Sequence, residues 1–234
     1  MSKRMIGIIG GMGPAATADL FKEIIRLTQG RRDQDHLQVL IFSNPKIPDR
    51  TRAILGKGGN PLPALVETAR TLEKAGAGML IMPCNAAHHY LPKMQSCVRI
   101  PIVSMIRETC VEVCLKHPEI ESAGLLAATG TVLSRVYHEE FARAGVKVLV
   151  PDARGQERVH AAIVRVKSGT QNKATRRTFE SEGAKLVKQG AGTVILGCTE
   201  IPLVFDPGNV EYETINATRV LARAAVNWAL GKRG

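Results

Sequence analysis

Two cysteines stand in matched settings about half a chain apart, Cys84 in MLIMPCNAAHH and Cys198 in TVILGCTEIPL. Each closes a short apolar run, is followed at once by a small amide or hydroxyl residue, and then enters what reads as the start of a helix. A thiol placed there sits among backbone N–H groups that lack intrahelical partners, and the positive end of the helix dipole favours its thiolate. A single cysteine after an apolar run, taken alone, reads as a buried core thiol. Two thiols presented alike by two halves of one chain read instead as an acid and a base facing each other across a cleft. The chemistry that fits is proton transfer at carbon, one group removing a proton from one face and the other returning one to the opposite face. Cys97 has no such setting and reads as inert.

Elements able to present such thiols follow from periodicity, which alternates short β-rich runs with amphipathic stretches and predicts an α/β fold with parallel sheets. The first half reads as a strand over 5–9, the turn Gly10-Gly11-Met12-Gly13-Pro14, and a helix over 15–28. A strand over 38–42, a polar loop over 43–60, a helix over 61–75 and a strand over 79–82 then lead to Cys84. A helix is expected after Asn85, and a short strand over 102–104. The second half has a strand over 123–127, the turn Ala128-Thr129-Gly130-Thr131, a helix over 132–144 and a strand over 147–150. After a loop come helical segments over 157–168 and 173–189, then a strand over 193–196 that delivers Cys198. The order of elements is the same in both halves, an internal duplication with little residue identity. It predicts an N-terminal lobe of residues 1–105 plus 210–234 carrying Cys84, and a C-terminal lobe of residues 106–209 carrying Cys198. The helical tail over 215–230 is expected on the first lobe, and chemistry at the carboxyl ends of the strands.

Composition narrows the function classes. Hydrophobic residues make up 44% and charged residues 23% of 234, as in globular proteins. The apolar runs are far shorter than the ~20 residues of a membrane span, so no membrane partner is expected. The opening MSKRMIGIIGG is too short in its apolar part for a signal-peptide core, and the expected location is cytoplasmic. Five cysteines, an odd number, then read as free thiols. Cys110 and Cys114 lie close to His117, but no second cluster completes a tetrahedral set, so no metal is expected. Gly10-Gly11-Met12-Gly13 departs from the dinucleotide spacing, and no acidic residue closes the second strand. The net charge of +11 raises the question of nucleic acid, yet aromatic residues are only 4%, leaving no stacking platform. No nucleic-acid-binding signature appears, and the charge reads as a solvated basic face, with a field that draws in small acidic substrates as the alternative.

PCNAAH and LGCTEIPL resemble the paired signatures of the aspartate/glutamate racemase family. IGIIGGMGPAATADLF is similar to that family's N-terminal turn, NPKIPDRT to its substrate loop and GLLAATGT to its mid-chain turn, so the likeness covers nearly the whole chain. The resemblance implies a cofactor-independent two-base racemase with two Rossmann-like, pseudo-twofold related lobes, an active site in the cleft between them, and a homodimer. Carried over by position, Cys84 and Cys198 match the acid/base thiols. Asn85, Thr199 and the backbone of the Met12 turn match the holders of the α-carboxylate. Arg50 matches the contact to a distal carboxylate and Lys167 a second basic contact, roles for which a guanidinium fork and a lysine point charge are suited. His88 matches a family histidine that orients the loop or tunes the thiol, though capping or packing fits it as well, and Glu200 one that fixes its turn by hydrogen bonds. Two positions depart from the pattern: Ala86 stands where a threonine is usual, and Asn216 where an aspartate is. The implied substrate is an acidic amino acid, aspartate before glutamate. Other readings are an isomerase or decarboxylase of a small dicarboxylic acid, or a non-catalytic binder of an acidic ligand.

Overall fold

Ile6, Ile8 and Ile9 are fully buried, and this uninterrupted apolar run forms strand β1 (Ile6–Gly10). A strand covered on both faces needs no polar alternation and sits inside a parallel sheet. The computed structural model describes residues 4–232 and falls into two units, one running to Glu108 and resuming at Thr218, the other Thr109–Ala217. In the first unit β1 is followed by α1 (Pro14–Thr28), a 3-10 turn (Asp33–Asp35), β2 (Val39–Ser43), α2 (Arg50–Ile54), α3 (Leu62–Lys74) and β3 (Met79–Ile81). Past Cys84 come a 3-10 turn (Ala86–Tyr90), α4 (Leu91–Gln95) and α5 (Met105–Lys116), which carries the chain into the second unit. The sheet has the order β2-β1-β3, all parallel. The strand expected over 102–104 shrinks to one parallel bridge, Ile102 with Leu80.

The second unit runs β4 (Ser122–Leu126), α6 (Thr129–Leu133), α7 (Val136–Arg143), β5 (Lys147–Leu149), α8 (Ala153–Lys167), α9 (Lys173–Lys188) and β6 (Thr193–Leu196). Two short 3-10 turns (Ile201–Leu203 and Pro207–Asn209), β7 (Thr214–Asn216) and α10 (Ala217–Ala229) follow. Its parallel sheet has the order β5-β4-β6-β7, with β4 and β6 paired from Ala123–Thr193 to Leu126–Leu196. The α/β fold with two parallel sheets is thus what the molecule has. Pairing of β7 with β6 puts residues 214–216 with the second sheet, beyond the boundary expected at 210. The tail helix α10 belongs to the first unit from Thr218 on, where Leu221, Ala222, Ala225 and Val226 are buried and Trp228 lies 5.0 Å from the Arg4 guanidinium.

Three local departures have physical reasons. The helix expected over 132–144 is broken into α6 and α7 because Arg135 takes a left-handed conformation, φ 57°, which no helix continues through. The polar loop over 43–60 contains α2, whose start is fixed by the Asp49 side chain accepting a hydrogen bond from the Arg52 N–H at 2.7 Å. Neither cysteine turn leads straight into an α-helix: both enter 3-10 turns first. Among the described residues no helix is long and apolar enough to cross a membrane.

Candidate active site

At the carboxyl end of β1 the chain turns through Gly11, which has φ 92°. The Gly11 N–H donates to Thr17 Oγ1 at 2.9 Å, and that hydroxyl donates to the Gly13 carbonyl at 3.0 Å. The turn is thereby tied to the first part of α1 and holds Met12 buried. From the loop after β2, the Asn44 N–H reaches the Gly10 carbonyl at 3.2 Å. This loop leads into α2, whose first residue is Arg50, only 8% exposed. Arg50 Nη1 donates to the carbonyls of Ile47 (3.1 Å) and Pro48 (2.9 Å), and Nη2 to that of Met12 (3.4 Å). Its Nε is buried with no hydrogen-bond partner among the described residues, and none of their carboxylates pairs with it. Arg50 and the Met12 turn, 38 residues apart in sequence, are therefore in direct contact.

Cys84 lies just past β3, its N–H donating to the Met82 carbonyl at 2.8 Å. Its own carbonyl accepts from the Ala87 N–H at 3.2 Å and from His88 Nδ1 at 2.9 Å. His88 Nε2 in turn accepts the Met105 N–H at 3.0 Å. A carbonyl can only accept and an amide N–H can only donate, so the proton sits on Nδ1 and the ring is neutral. His88 thus fastens the Cys84 turn to the start of α5, and its contact is with the cysteine backbone rather than the sulfur. Asn85 is buried beside it, and Ala86 packs in one apolar cluster with Met12, Ile47 and Cys84. A threonine hydroxyl at position 86 would need a partner in those surroundings.

Burial lowers the His88 pKa from 6.5 to about 4, with the backbone bonds at Cys84 and Val103 only partly offsetting it. The unfolded chain therefore binds a proton that the folded chain refuses. The stabilisation is complete above about pH 6.5 and is lost as pH falls toward about 4, amounting to about 3 kcal/mol. Urea unfolding across that window should give a stability that declines with acidification, and His88→Asn should flatten this part of the decline.

In the second unit, Cys198 follows β6 and its Sγ donates to Glu200 Oε2 at 3.0 Å. Thr199 Oγ1 donates to the same oxygen at 3.3 Å. Lys167 Nζ, from the last turn of α8, stands 3.9 Å from Glu200 Oε1. The Glu200 carboxylate is buried and gathers Cys198, Thr199 and Lys167 around itself. Burial first, and the charge of Glu200 second, push the Cys198 thiol well above its ordinary value, against a smaller opposing pull from Lys167. This reverses the thiolate stabilisation expected from a helix dipole. The 3-10 turn that follows is three residues long, too short for a dipole to outweigh desolvation.

Two further residues shape this end of the second sheet and gave no motif in the sequence. Gln156 Nε2 donates to the Ala127 carbonyl (3.0 Å) and to Thr129 Oγ1 (3.4 Å), and His160 Nδ1 accepts the Thr129 N–H at 3.3 Å. Their spacing, four residues apart on α8, is the only sequence signal that could have pointed to them. Among the described residues no group of three or more His, Cys, Asp or Glu side chains could hold a metal ion.

Residues 9–225 match the family model for Asp/Glu/hydantoin racemases. Over 227 residues the chain is 27% identical to the broad specificity amino-acid racemase RacX of Bacillus subtilis, covering 95% of this chain and 97% of that one. The solved aspartate racemase of Picrophilus torridus superposes with a TM-score of 0.85 at 29% identity, covering 98% of this chain and 95% of that chain. The aspartate racemase homologue of Pyrococcus horikoshii shares the fold at a TM-score of 0.77 and 24% identity, covering 97% and 99% of the two chains.

Proposed function

The chain belongs to the Asp/Glu/hydantoin racemase family and is an enzyme of the racemase class, and from that premise we propose that it inverts the α-carbon of an acidic amino acid, aspartate in preference to glutamate. Cys84 and Cys198 exchange the roles of base and acid between the two enantiomers. One thiolate takes the α-proton, the C–H electron pair passes into the α-carboxylate, and the other thiol returns a proton to the opposite face of the carbon. Asn85, Thr199 and the Met12 turn hold the α-carboxylate, where negative charge develops. Arg50 holds the side-chain carboxylate, with Lys167 as the second basic contact.

The observation that carries the acidic substrate is Arg50. A guanidinium only 8% exposed, with three carbonyls but no carboxylate of the described residues against it, is a buried charge whose countercharge a substrate can supply. The solved aspartate racemase among the similar structures supports an acidic substrate. The test is incubation of each enantiomer of aspartate and glutamate in deuterated water. Inversion should be accompanied by deuterium at Cα, faster for aspartate. No exchange with these or a wider amino-acid panel would sink the proposal, and turnover of maleate alone would replace it with diacid isomerisation.

A further inference from the structure

The groups assigned above to the substrate, Asn85, Thr199, the Met12 turn, Arg50 and Lys167, all serve its two carboxylates. An amino acid also carries an α-ammonium, whose three N–H bonds need acceptors. Resting on the acidic amino-acid reading above, we propose that the amide oxygen of Gln156 receives this ammonium. Gln156 stands in the first turn of α8 and bonds the turn after β4, the strand paired with the β6 that delivers Cys198. Ala128 of that turn packs in one apolar cluster with Cys198. Gln156, His160 and Lys167 recur at intervals of four and seven residues. One side of α8 therefore reaches the turn after β4 and, at its far end, the turn after β6.

The orientation of the amide is fixed by its partners. Nε2 donates to the Ala127 carbonyl at 3.0 Å, and a carbonyl can only accept, so the amide cannot be turned end for end. Nε2 also reaches Thr129 Oγ1 at 3.4 Å, while His160 Nδ1 accepts the Thr129 N–H at 3.3 Å. Oε1 is buried and has no hydrogen-bond partner among the described residues. A buried acceptor without a donor destabilises the protein, and an arriving ammonium offsets that cost. A neutral acceptor also suits the reaction. It holds the ammonium without cancelling its positive charge, and that charge stabilises the electron density developing on the adjacent α-carbon and carboxylate.

The experiment compares aspartate with succinate, the same diacid skeleton without the ammonium. KM for L-aspartate and the inhibition constant of succinate are measured for the unsubstituted enzyme, Gln156→Met and Gln156→Glu. Methionine keeps the length of the side chain and removes the amide oxygen. The ratio of the succinate constant to the aspartate KM should then fall by about tenfold to a hundredfold, the loss expected of one hydrogen bond to a charged group. Glutamate keeps an acceptor oxygen, adds a negative charge and gives up the donor to the Ala127 carbonyl. It should raise the same ratio, because the ammonium is held more tightly while both carboxylates are repelled, and it should lower kcat. Loosening of the turn alone is shared by both variants and both ligands and leaves the ratio unchanged. An unchanged ratio in Gln156→Met, or a ratio that falls in Gln156→Glu as it does in Gln156→Met, overturns the assignment. Should Gln156→Met not fold, Gln156→Glu decides by itself, and a ratio that does not rise overturns it. No turnover of aspartate by the unsubstituted enzyme would instead sink the substrate reading, and this assignment with it.

Discussion

Cys84→Ala and Cys198→Ala are each expected to lower racemisation by between about a hundredfold and ten-thousandfold, the range that one positioned acid or base contributes. In the proposed mechanism both variants matter equally, because inversion would use both groups in every turnover. A protein with one thiol can remove the α-proton of one enantiomer and put a proton back on the same face, but it cannot invert the centre. Deuterium exchange at Cα should therefore survive in one enantiomer for each variant, and a different one in each. Cys→Ser should lose nearly as much, since an alkoxide forms far less readily than a thiolate. Both cysteines are buried in apolar clusters, so truncation also leaves a small cavity, worth about 1 kcal/mol of stability. That loss is small enough for circular dichroism to show folded protein while the rate is measured. Wild-type racemisation in Cys84→Ala would remove that residue from the mechanism.

Gly11→Ala should have the largest effect on stability of any single methyl addition near the Met12 turn. Gly11 has φ 92°, where an L side chain is strained. A Cβ there would also run into the backbone of Asn44, which cannot swing aside as a side chain could. The two loops would have to separate, with the Asn44 to Gly10 hydrogen bond of 3.2 Å between them. Strain and overpacking together amount to about 2–5 kcal/mol, read as a lower urea midpoint. The Met12 carbonyl that receives Arg50 moves with this turn, so KM for aspartate should rise as well. Gly56→Ala is the internal comparison: its φ is 69°, but a Cβ there meets nothing within 4 Å. Conformational strain alone should then cost about 1 kcal/mol. Equal losses at the two positions would show that the collision with Asn44 relaxes freely.

The parts of the molecule legible in its residues are those set by local pattern. β6 lies where its buried apolar run placed it, and β1 within a residue, because strands covered on both faces announce themselves as continuous hydrophobic segments. The turn after β1 was legible from glycine and proline, and the tail helix α10 from helical spacing, although it starts at Ala217 rather than 215. β7 was not, since three residues with a polar residue at each end carry no period, and only pairing with β6 makes them a strand. The break at Arg135 was equally silent, because a left-handed non-glycine residue is chosen by its surroundings and not by its own preference.

For the candidate site, residue identity alone determined that two thiols are presented at the ends of strands, each beside an amide or hydroxyl, and that basic residues are available for a carboxylate. That follows from chemistry carried by single side chains and from short-range order, which a linear sequence records. Tertiary structure alone decided the state of those groups. Arg50 meets the Met12 carbonyl across 38 residues, and His88 meets the Met105 N–H across 17. Lys167 and Glu200 come together only because α8 packs against the turn after β6. Whether a thiol is held as acid or freed as base depends on burial and on the nearest charge, and both are properties of packing. The reaction class was therefore readable from the two cysteine motifs, while the protonated state of Cys198 and the neutral state of His88 arise from the low-dielectric surroundings that folding creates around them.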